Sequence, residues 1–290
     1  MVCLSALSHA GWNALGKRAA ADATFFLLAS LAALPLAPLL WWWMPPLGQW
    51  PESLGWILLA TGLCQAVYLS ALGGAYRAGD MSVAYPLLRS LPVIAVSLVR
   101  VSLGDADKIA AAGWAAIALI LIGGLMLPIA GLADLSWRRY VNRCCGLAVV
   151  AAIGTTAYTL LDDVGVRSLG ETLGWMRAAV VYALLEAGTT SIFLAIWIAC
   201  SPRERHSLRA VSPQTVGRAV AAGWVSFGTY GLVLAAMAIA DHVTYVTALR
   251  QLSIPVATLI GVTLLGERAA SPRLLGSALI FTGLVALILA

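Results

Sequence analysis

Long apolar runs separated by short, charged loops form the main pattern of this sequence. Crossing the hydrocarbon core of a bilayer takes about 20 mostly apolar residues in a helix. By this measure the sequence predicts ten membrane-spanning helices, with loops too short to hold a separate soluble domain. The predicted spans are residues 2–15, 24–44, 54–73, 82–102, 109–130, 144–161, 173–200, 218–240, 243–265 and 274–290. The pattern therefore predicts an all-α integral membrane protein.

The composition supports this fold class and argues against an enzyme. Of the 290 residues, 61% are hydrophobic and only 11% are charged, and the mean hydropathy is +0.90. Soluble domains are about 25% charged, so a water-facing fold of this size would lack polar residues for its surface. The sequence contains no GxxxxGK[ST] phosphate loop, no HExxH metal motif and no GxSxG nucleophile motif. We therefore expect neither catalysis nor a bound metal or cofactor.

Lysine and arginine are unevenly distributed among the predicted loops. Twelve of the 18 basic residues lie in or beside the odd-numbered loops, and only four lie in or beside the even-numbered ones. Cytoplasmic loops of membrane proteins are enriched in Lys and Arg, so the odd-numbered loops are predicted in the cytoplasm and both termini outside. This asymmetry explains the net charge of +5 without a nucleic-acid partner.

The two halves of the chain resemble each other. A shift of 161 residues places residues 75–80 on residues 236–241, and it also places Arg89 on Arg250. Each copy is a span that ends in Asp, followed by a span with an Arg about one-third of the way along. Chance similarity between Leu-, Ala- and Gly-rich helices is the alternative explanation.

This similarity predicts an internal duplication. We interpret residues 1–130 and residues 144–290 as two five-helix repeats, joined by a basic connecting loop at 131–143. A unit with an odd number of spans reverses its orientation when it is repeated. The two repeats would therefore be inverted around a central cavity, an arrangement typical of transporters.

Four segments carry motifs that go beyond hydrophobicity. They are His9-Ala-x-Trp-Asn13 in the first span, residues 84–90 (AYPLLRS), residues 158–162 (YTLLD) and residues 245–253 (YVTALRQLS). Together they resemble the EamA-like proteins of the drug/metabolite transporter superfamily. The resemblance implies ten helices in two inverted repeats and a permease that moves small metabolites, often outwards. It also implies a multi-pass protein of the plasma membrane, which in a bacterium is the inner membrane.

Four ionisable residues are predicted to lie deep within spans: His9, Arg89, Glu186 and Arg250. Such residues are costly in a membrane and are functional candidates by default. In inverted repeats, Arg89 and Arg250 would enter from opposite faces and reach one cavity. Their guanidinium forks would bind an anionic group of the substrate, such as a carboxylate or phosphate. The alternative is that each Arg is a structural lock, paired with carbonyl groups or acids.

Glu186 lies at the middle of the seventh predicted span, and two roles are open for it. It would carry a proton in exchange for substrate, or it would be the buried counter-ion of Arg89 or Arg250. The sequence offers no other acid predicted at that depth, so the core is expected to keep a positive balance. An anionic or zwitterionic substrate is therefore favoured.

Further polar residues are expected to line the cavity: His9, Trp12, Asn13, Tyr85 and Tyr158. The first three share one helical face. Similar polar stripes run along the third and sixth spans, formed by Thr61, Gln65 and Tyr68, and by Thr155, Tyr158, Thr159 and Asp162. For each stripe, the alternative role is hydrogen bonding between helices, worth about 0.6 kcal/mol on average.

These features predict a secondary transporter that moves a small organic metabolite by alternating access, with export as the favoured direction. Its partners would be that metabolite and the lipid bilayer, and association into a homodimer is compatible with the sequence. A lipid or lipid-carrier flippase and a multidrug exporter are the alternatives. A membrane-embedded enzyme is a weaker alternative, because no catalytic constellation is found.

Overall fold

The chain folds into helices throughout the part that the structure, a computed structural model, describes. The described residues are 22–79, 81–105, 111–126, 141–241, 243–250 and 271–289, with the single positions 253, 254, 256, 260 and 263. In chain order the helices are α1 (Ala23–Leu31), α2 (Leu54–Ala78), α3 (Met81–Arg100), α4 (Ala111–Met126), α5 (Arg143–Leu173), α6 (Trp175–Cys200), α7 (Pro202–Arg209), α8 (Pro213–Ile239), α9 (Val243–Leu249) and α10 (Ser271–Leu289). Every regular element within these residues is helical, which confirms the all-α prediction for them.

Four of the helices, α2, α5, α6 and α8, are long and apolar enough to cross a membrane. The shortest of them, α2, has 25 residues. A rise of 1.5 Å per residue gives it a length of roughly 37 Å, which exceeds the hydrocarbon core of about 30 Å. These helices are those expected of a membrane protein, whereas the full set of ten spans stays a prediction.

Proline changes the second predicted span. Residues 24–44 do not form one helix, because α1 ends before Pro35 and short helical turns follow it. Pro35 and Pro38 have no N–H to donate, and their rings clash with the preceding turn of a regular helix. The turns lead to Trp41 and Trp42, which are 72% and 90% exposed. Such exposed tryptophans are typical of the aromatic belt at a membrane interface.

The prediction for the sixth span is wrong at its C-terminal end. That span is predicted to end at residue 161, but α5 continues to Leu173. The prediction stops there because two adjacent carboxylates are costly in hydrocarbon. In the structure Asp162 and Asp163 are both buried inside the protein, and Asp163 accepts a hydrogen bond from Arg167 Nε at 2.8 Å. Asp162 therefore lies within the helical bundle and not at its surface.

Some predicted features lie outside the described residues. The first span, at residues 2–15, is one of them, and with it the predicted cavity residues His9, Trp12 and Asn13. Most of the connecting loop at 131–143 also lies outside the described ranges. The roles assigned to these residues stay predictions.

Helices α2 and α5 form an antiparallel pair at the centre of the bundle. The Thr61 hydroxyl near the start of α2 donates to Asp162 late in α5, at 2.5 Å. At the other end of the pair, a Cβ atom added to Gly79 would lie 2.6 Å from the Sγ of Cys144. The interhelical hydrogen bond of Thr61 is the structural role foreseen as an alternative for the polar stripe of this span.

Helices α4 and α10 pack through matched small residues. A Cβ atom added to Gly123 would lie 2.5 Å from the carbonyl oxygen of Gly276, and one added to Gly283 would lie 2.7 Å from that of Ala116. The two helices are therefore antiparallel. Adding 160 to the residue number relates Gly123 to Gly283 and Ala116 to Gly276. The same shift therefore relates the contact of Gly123 with Gly276 to the contact of Gly283 with Ala116. The contact thus has local twofold symmetry.

Two further close contacts between helices are related by almost the same shift in residue number. A Cβ atom added to Gly62 in α2 would lie 2.5 Å from the Thr189 hydroxyl in α6. A Cβ atom added to Gly223 in α8 would overlap the carbonyl of Ala29 in α1. Shifts of 161 and 160 residues relate Gly62 to Gly223 and Ala29 to Thr189. The packing of α2 on α6 therefore corresponds to that of α8 on α1.

The buried acid Glu204 connects α7 with α1 and α2 at one end of the bundle. Glu204 in the first turn of α7 accepts a hydrogen bond from the Ala23 N–H at 3.2 Å, and its carboxylate lies 3.7 Å from Arg77 Nη2. Ser207 donates to Asp22, the residue that caps the start of α1. We call this the basic end of the bundle, defined by Arg77, Arg143, Arg203, Arg205 and Arg209. These arginines belong to loops that the charge distribution predicts in the cytoplasm.

Candidate substrate site

A cavity of about 90 Å³ lies between α1, α2, α5, α6 and α8, beside the residue that follows α9. Its apolar walls include Phe26 and Ala29 of α1 and Phe227 of α8. Its main polar groups are Gln65, Tyr68, Tyr158, Glu186, Tyr230 and Arg250. A mostly apolar cavity with a few converging polar groups is the usual form of a small-molecule site.

Arg250 supplies the positive charge of this cavity. It is 2% exposed, and its Nη2 donates a hydrogen bond to the Tyr158 hydroxyl at 3.3 Å. Its Cζ lies 5.5 Å from the centroid of the Tyr230 ring, which is within the range of a cation–π contact. Among the described residues, no carboxylate lies within the 4.0 Å of an ion pair with this guanidinium. Arg250 is thus a buried cation held by neutral aromatic residues.

Three tyrosines hold the surroundings of Arg250 in place. The ring of Tyr158 meets that of Tyr68 edge-on at a centroid distance of 5.6 Å, and that of Tyr230 at 6.0 Å. Edge-to-face pairs of this kind are worth about 0.5–1.5 kcal/mol beyond the area they bury. Because the rings come from α2, α5 and α8, they connect three helices around one guanidinium.

Glu186 supplies a carboxyl group to the cavity wall. It is 2% exposed, and its Oε1 accepts a hydrogen bond from Gln65 Nε2 at 2.7 Å. Within the described part of the chain, Glu186 Oε2 and the hydroxyl of Thr190 have no hydrogen-bond partner although both are buried. The two residues are four positions apart on α6 and both line the cavity. Together they present acceptor atoms to whatever occupies it.

Glu186 and Arg250 form no direct ion pair among the described residues, although both line the cavity. Each is instead bound by a neutral group, Gln65 for Glu186 and Tyr158 for Arg250. The cavity therefore contains one basic and one acidic side chain that do not contact each other. The counter-ion role predicted for Glu186 stays a prediction. Whether Glu186 carries a proton also stays a prediction.

Asp162 is a second buried acid, and its side chain is fully inaccessible to solvent. Its Oδ1 accepts hydrogen bonds from the hydroxyls of Thr61 at 2.5 Å and Tyr182 at 2.9 Å. Its Oδ2 accepts one from the hydroxyl of Tyr230. The prediction that Glu186 is the only buried acid is therefore wrong, and the positive balance of the core loses the basis on which it was predicted.

Arg89 does not line this cavity. It lies in α3 and is 2% exposed, as is Arg250 in the other half of the chain. The prediction that both arginines bind the substrate rests on their equivalence in the repeat, and the cavity contains only one of them. Tyr85 also belongs to α3, and its side chain lies outside the described part of the structure.

The cavity contains unlike residues at positions that the predicted repeat relates to each other. A shift of 160 residues places Phe26 on Glu186, and a shift of 161 places Leu69 on Tyr230. All four line the cavity. Its charged groups among the described residues come from the second half, and the first half supplies apolar residues at these two positions.

The structure brings together three of the predicted site residues: Arg250, Tyr158 and Glu186. Sequence reasoning missed Tyr230 and Thr190, since a single Tyr or Thr in an apolar helix carries no signal of its own. The predicted repeat relates Tyr230 to an apolar residue, Leu69, and so gives no sign of a polar site at position 230.

Within the described ranges, no group of three or more His, Cys, Asp and Glu side chains is placed to hold a metal ion. No protein-family model and no curated protein matches this chain. The functional argument therefore depends on the cavity itself.

Proposed function

We propose that this protein is a secondary transporter, similar to the EamA-like proteins, that carries a small zwitterionic or anionic metabolite across the membrane by alternating access. The observation that carries the proposal is the state of Arg250, a buried guanidinium that lines a cavity and lacks a carboxylate partner among the described residues. Export, as favoured from the sequence, is part of the proposal.

The cost of burying a charge is the first argument for a ligand at Arg250. A buried ion that has no counter-ion in direct contact keeps part of its desolvation penalty, which amounts to several kcal/mol. Tyr158 and the ring of Tyr230 offset part of this penalty, but neither neutralises the charge. A carboxylate or a similar anionic group of a substrate would do so, and Arg binds such groups through a planar fork. We infer that this site binds the anionic end of the substrate.

The opposite charge at Glu186 points to a substrate that also carries a positive group. Glu186 Oε2 and Thr190 Oγ1 are acceptors without a described donor. A primary ammonium group has three N–H donors and no acceptor, which suits a carboxylate oxygen and a hydroxyl. A small molecule with a carboxylate and an ammonium would neutralise both charges of the cavity at once. This complementarity favours a zwitterion over a simple anion.

The transport mechanism follows from the architecture that we propose. It consists of ten spans in two inverted five-helix repeats, residues 1–130 and 144–290. The matched approaches of Gly123 to Gly276 and of Gly283 to Ala116 support it, because antiparallel helices related by a local twofold axis are expected between inverted repeats. A site at the interface of such repeats becomes accessible from either side when one repeat rocks against the other.

A thermal-stability screen of the detergent-purified protein tests the binding step. The probes are glycine and L-alanine as zwitterions, acetate and phosphate as anions, and ethylammonium and tetraphenylphosphonium as cations. A ligand at a hundred times its dissociation constant stabilises a protein by about 2.7 kcal/mol. We expect stabilisation by zwitterions, loss of that effect in Arg250→Gln, and weakening in Glu186→Gln.

The Arg205→Gln variant is the control for loss of a positive charge, because Arg205 is exposed on α7. Stabilisation by tetraphenylphosphonium alone would contradict the proposal and favour the multidrug exporter. Stabilisation by none of the small probes, with lipid-like amphiphiles effective instead, would favour the flippase.

A further inference from the structure

The Asp162 carboxylate lies behind the cavity and not in it. Its side chain is fully buried and is not part of the cavity wall. It accepts hydrogen bonds from three hydroxyls, those of Thr61, Tyr182 and Tyr230, which belong to three other helices. A group so enclosed does not contact the substrate, so its effect on binding is indirect, and these donors connect it to the rest of the bundle.

Tyr230 is the one of the three donors that lines the cavity. Its hydroxyl is held by Asp162, while the face of its ring lies 5.5 Å from the Arg250 Cζ. The ring is thus fixed at its far end by a charge-assisted hydrogen bond, which is about twice as strong as a neutral one. Among the described residues, the ring is therefore one of two groups that hold the guanidinium, and the other is the Tyr158 hydroxyl.

Tyr182 provides a matched comparison. Its hydroxyl donates to the same carboxylate at 2.9 Å, but it lies on α6 against Gly165 and does not line the cavity. Removing the Tyr182 hydroxyl and removing the Tyr230 hydroxyl each delete one donor to Asp162. Only the second removal frees the ring that lies beside Arg250.

We propose that Asp162 is a positioning residue of the substrate site, which acts through the Tyr230 hydroxyl to hold the Arg250 guanidinium at the cavity wall. The placement of Arg250 is independent of which ligand binds. The effect of this placement on transport rests on the proposed function. Because the same carboxylate also binds α2 and α6, the position of Arg250 is coupled to the packing of both helices.

Arginine modification resolved by site tests the placement without any ligand. The purified protein is treated with phenylglyoxal, and mass spectrometry measures the rate at Arg250 relative to the exposed Arg205 in the same sample. The variants are Tyr230→Phe, Tyr182→Phe and Asp162→Asn. Since a hydrogen bond to a charged group is worth about 1.5–3 kcal/mol, we expect Tyr230→Phe to raise the relative rate at Arg250 roughly 10- to 100-fold.

Two control variants distinguish positioning of Arg250 through Tyr230 from a general loss of stability. Tyr182→Phe should leave the relative rate at Arg250 within about twofold of the wild type, a change smaller than the loss of one hydrogen bond. Asp162→Asn, if it folds, should behave as Tyr230→Phe does. An unchanged rate in Tyr230→Phe would overturn the proposal. So would an equal increase in Tyr182→Phe, because the network would then act only by general stabilisation.

A second arm separates this proposal from the proposed function. Glycine is added during labelling of the wild type, and protection of Arg250 supports its role in binding. If glycine gives no protection while Tyr230→Phe still exposes Arg250, the positioning role of Asp162 stands and the substrate assignment fails. If glycine protects Arg250 equally well in wild type and Tyr230→Phe, with equal labelling rates, the positioning role fails and the substrate assignment stands.

Discussion

The guanidinium of Arg250 lies over the ring of Tyr230, with 5.5 Å between the Arg250 Cζ and the ring centroid. The Tyr230 hydroxyl is bound in turn to Asp162. A buried positive charge and a buried negative charge are thus connected through one aromatic ring and do not form an ion pair. This arrangement leaves the N–H donors of Arg250 that face the cavity available to a ligand, and it underlies the predictions that follow.

Replacing Arg250 by Lys should weaken substrate binding although the charge is kept. Lysine has neither the planar fork nor the flat face that lies on Tyr230. Since hydrogen bonds to charged groups are worth about 1.5–3 kcal/mol, the loss of one predicts a roughly 10- to 100-fold lower affinity. The measurement is ligand-dependent thermal stabilisation across a range of glycine concentrations.

Arg89→Lys is the informative comparison for that variant. Because Arg89 does not line the cavity, we expect its affinity for glycine to stay near that of the wild type. An equal loss of affinity in Arg89→Lys and Arg250→Lys would instead support the sequence-based prediction that both arginines bind the substrate.

Replacing Gly123 or Gly283 by Ala should loosen the packing of α4 on α10. The added methyl group would lie within 2.7 Å of a backbone carbonyl at either position, and overpacking of this kind costs typically 1–3 kcal/mol. A lower thermal midpoint in detergent would show it. Gly217→Ala is the control, because its Cβ would meet nothing within 4 Å. A similar loss in all three variants would argue against the close contact.

Replacing Glu204 by Gln should destabilise the basic end of the bundle. The carboxylate accepts the Ala23 N–H and lies beside Arg77, and weakening such charged hydrogen bonds predicts a loss of about 1–3 kcal/mol. Thermal unfolding of Glu204→Gln is compared with that of Glu171→Gln, in which an exposed carboxylate is changed. Equal thermal midpoints for the two variants would contradict a stabilising contact between α1 and α7 through Glu204.

The native Cys200 reports which side of the membrane the basic end faces. It is a free, exposed cysteine at the end of α6, directly before α7. In a Cys3→Ser background, a membrane-impermeant maleimide should label Cys200 in inside-out vesicles and leave it unlabelled in intact cells. Cys200→Ser is the control for labelling elsewhere. Labelling in intact cells would reverse the orientation predicted from the charges.

Much of the fold is predictable from hydrophobicity because the bilayer requires long apolar helices. Prediction fails where burial depends on partners far away in sequence. Asp162 ends the predicted sixth span because a carboxylate in lipid is costly, whereas Thr61, Tyr182 and Tyr230 satisfy it inside the bundle. The residues next to Asp162 in the sequence do not predict these donors, which lie on other helices.

The candidate site is predictable to the extent that charge in an apolar helix is conspicuous. Arg250 and Glu186 are conspicuous for this reason, and both line the cavity. Their relationship to each other is not predictable, because opposite charges in a core suggest an ion pair. The structure gives each a neutral partner, Tyr158 and Gln65. Which of the two arginines that the predicted repeat relates reaches the cavity is likewise decided by packing.

The most direct test of the central claim is counterflow in proteoliposomes that contain the purified protein. Vesicles are loaded with unlabelled glycine and L-alanine and diluted into a trace of the radiolabelled compounds, with no ion gradient present. A carrier that alternates its site between the two sides predicts a transient accumulation of label, absent from empty liposomes and strongly reduced in Arg250→Lys. Equal label in protein-containing and empty vesicles, with the protein folded, would contradict the assignment of this cavity to transport of small zwitterions.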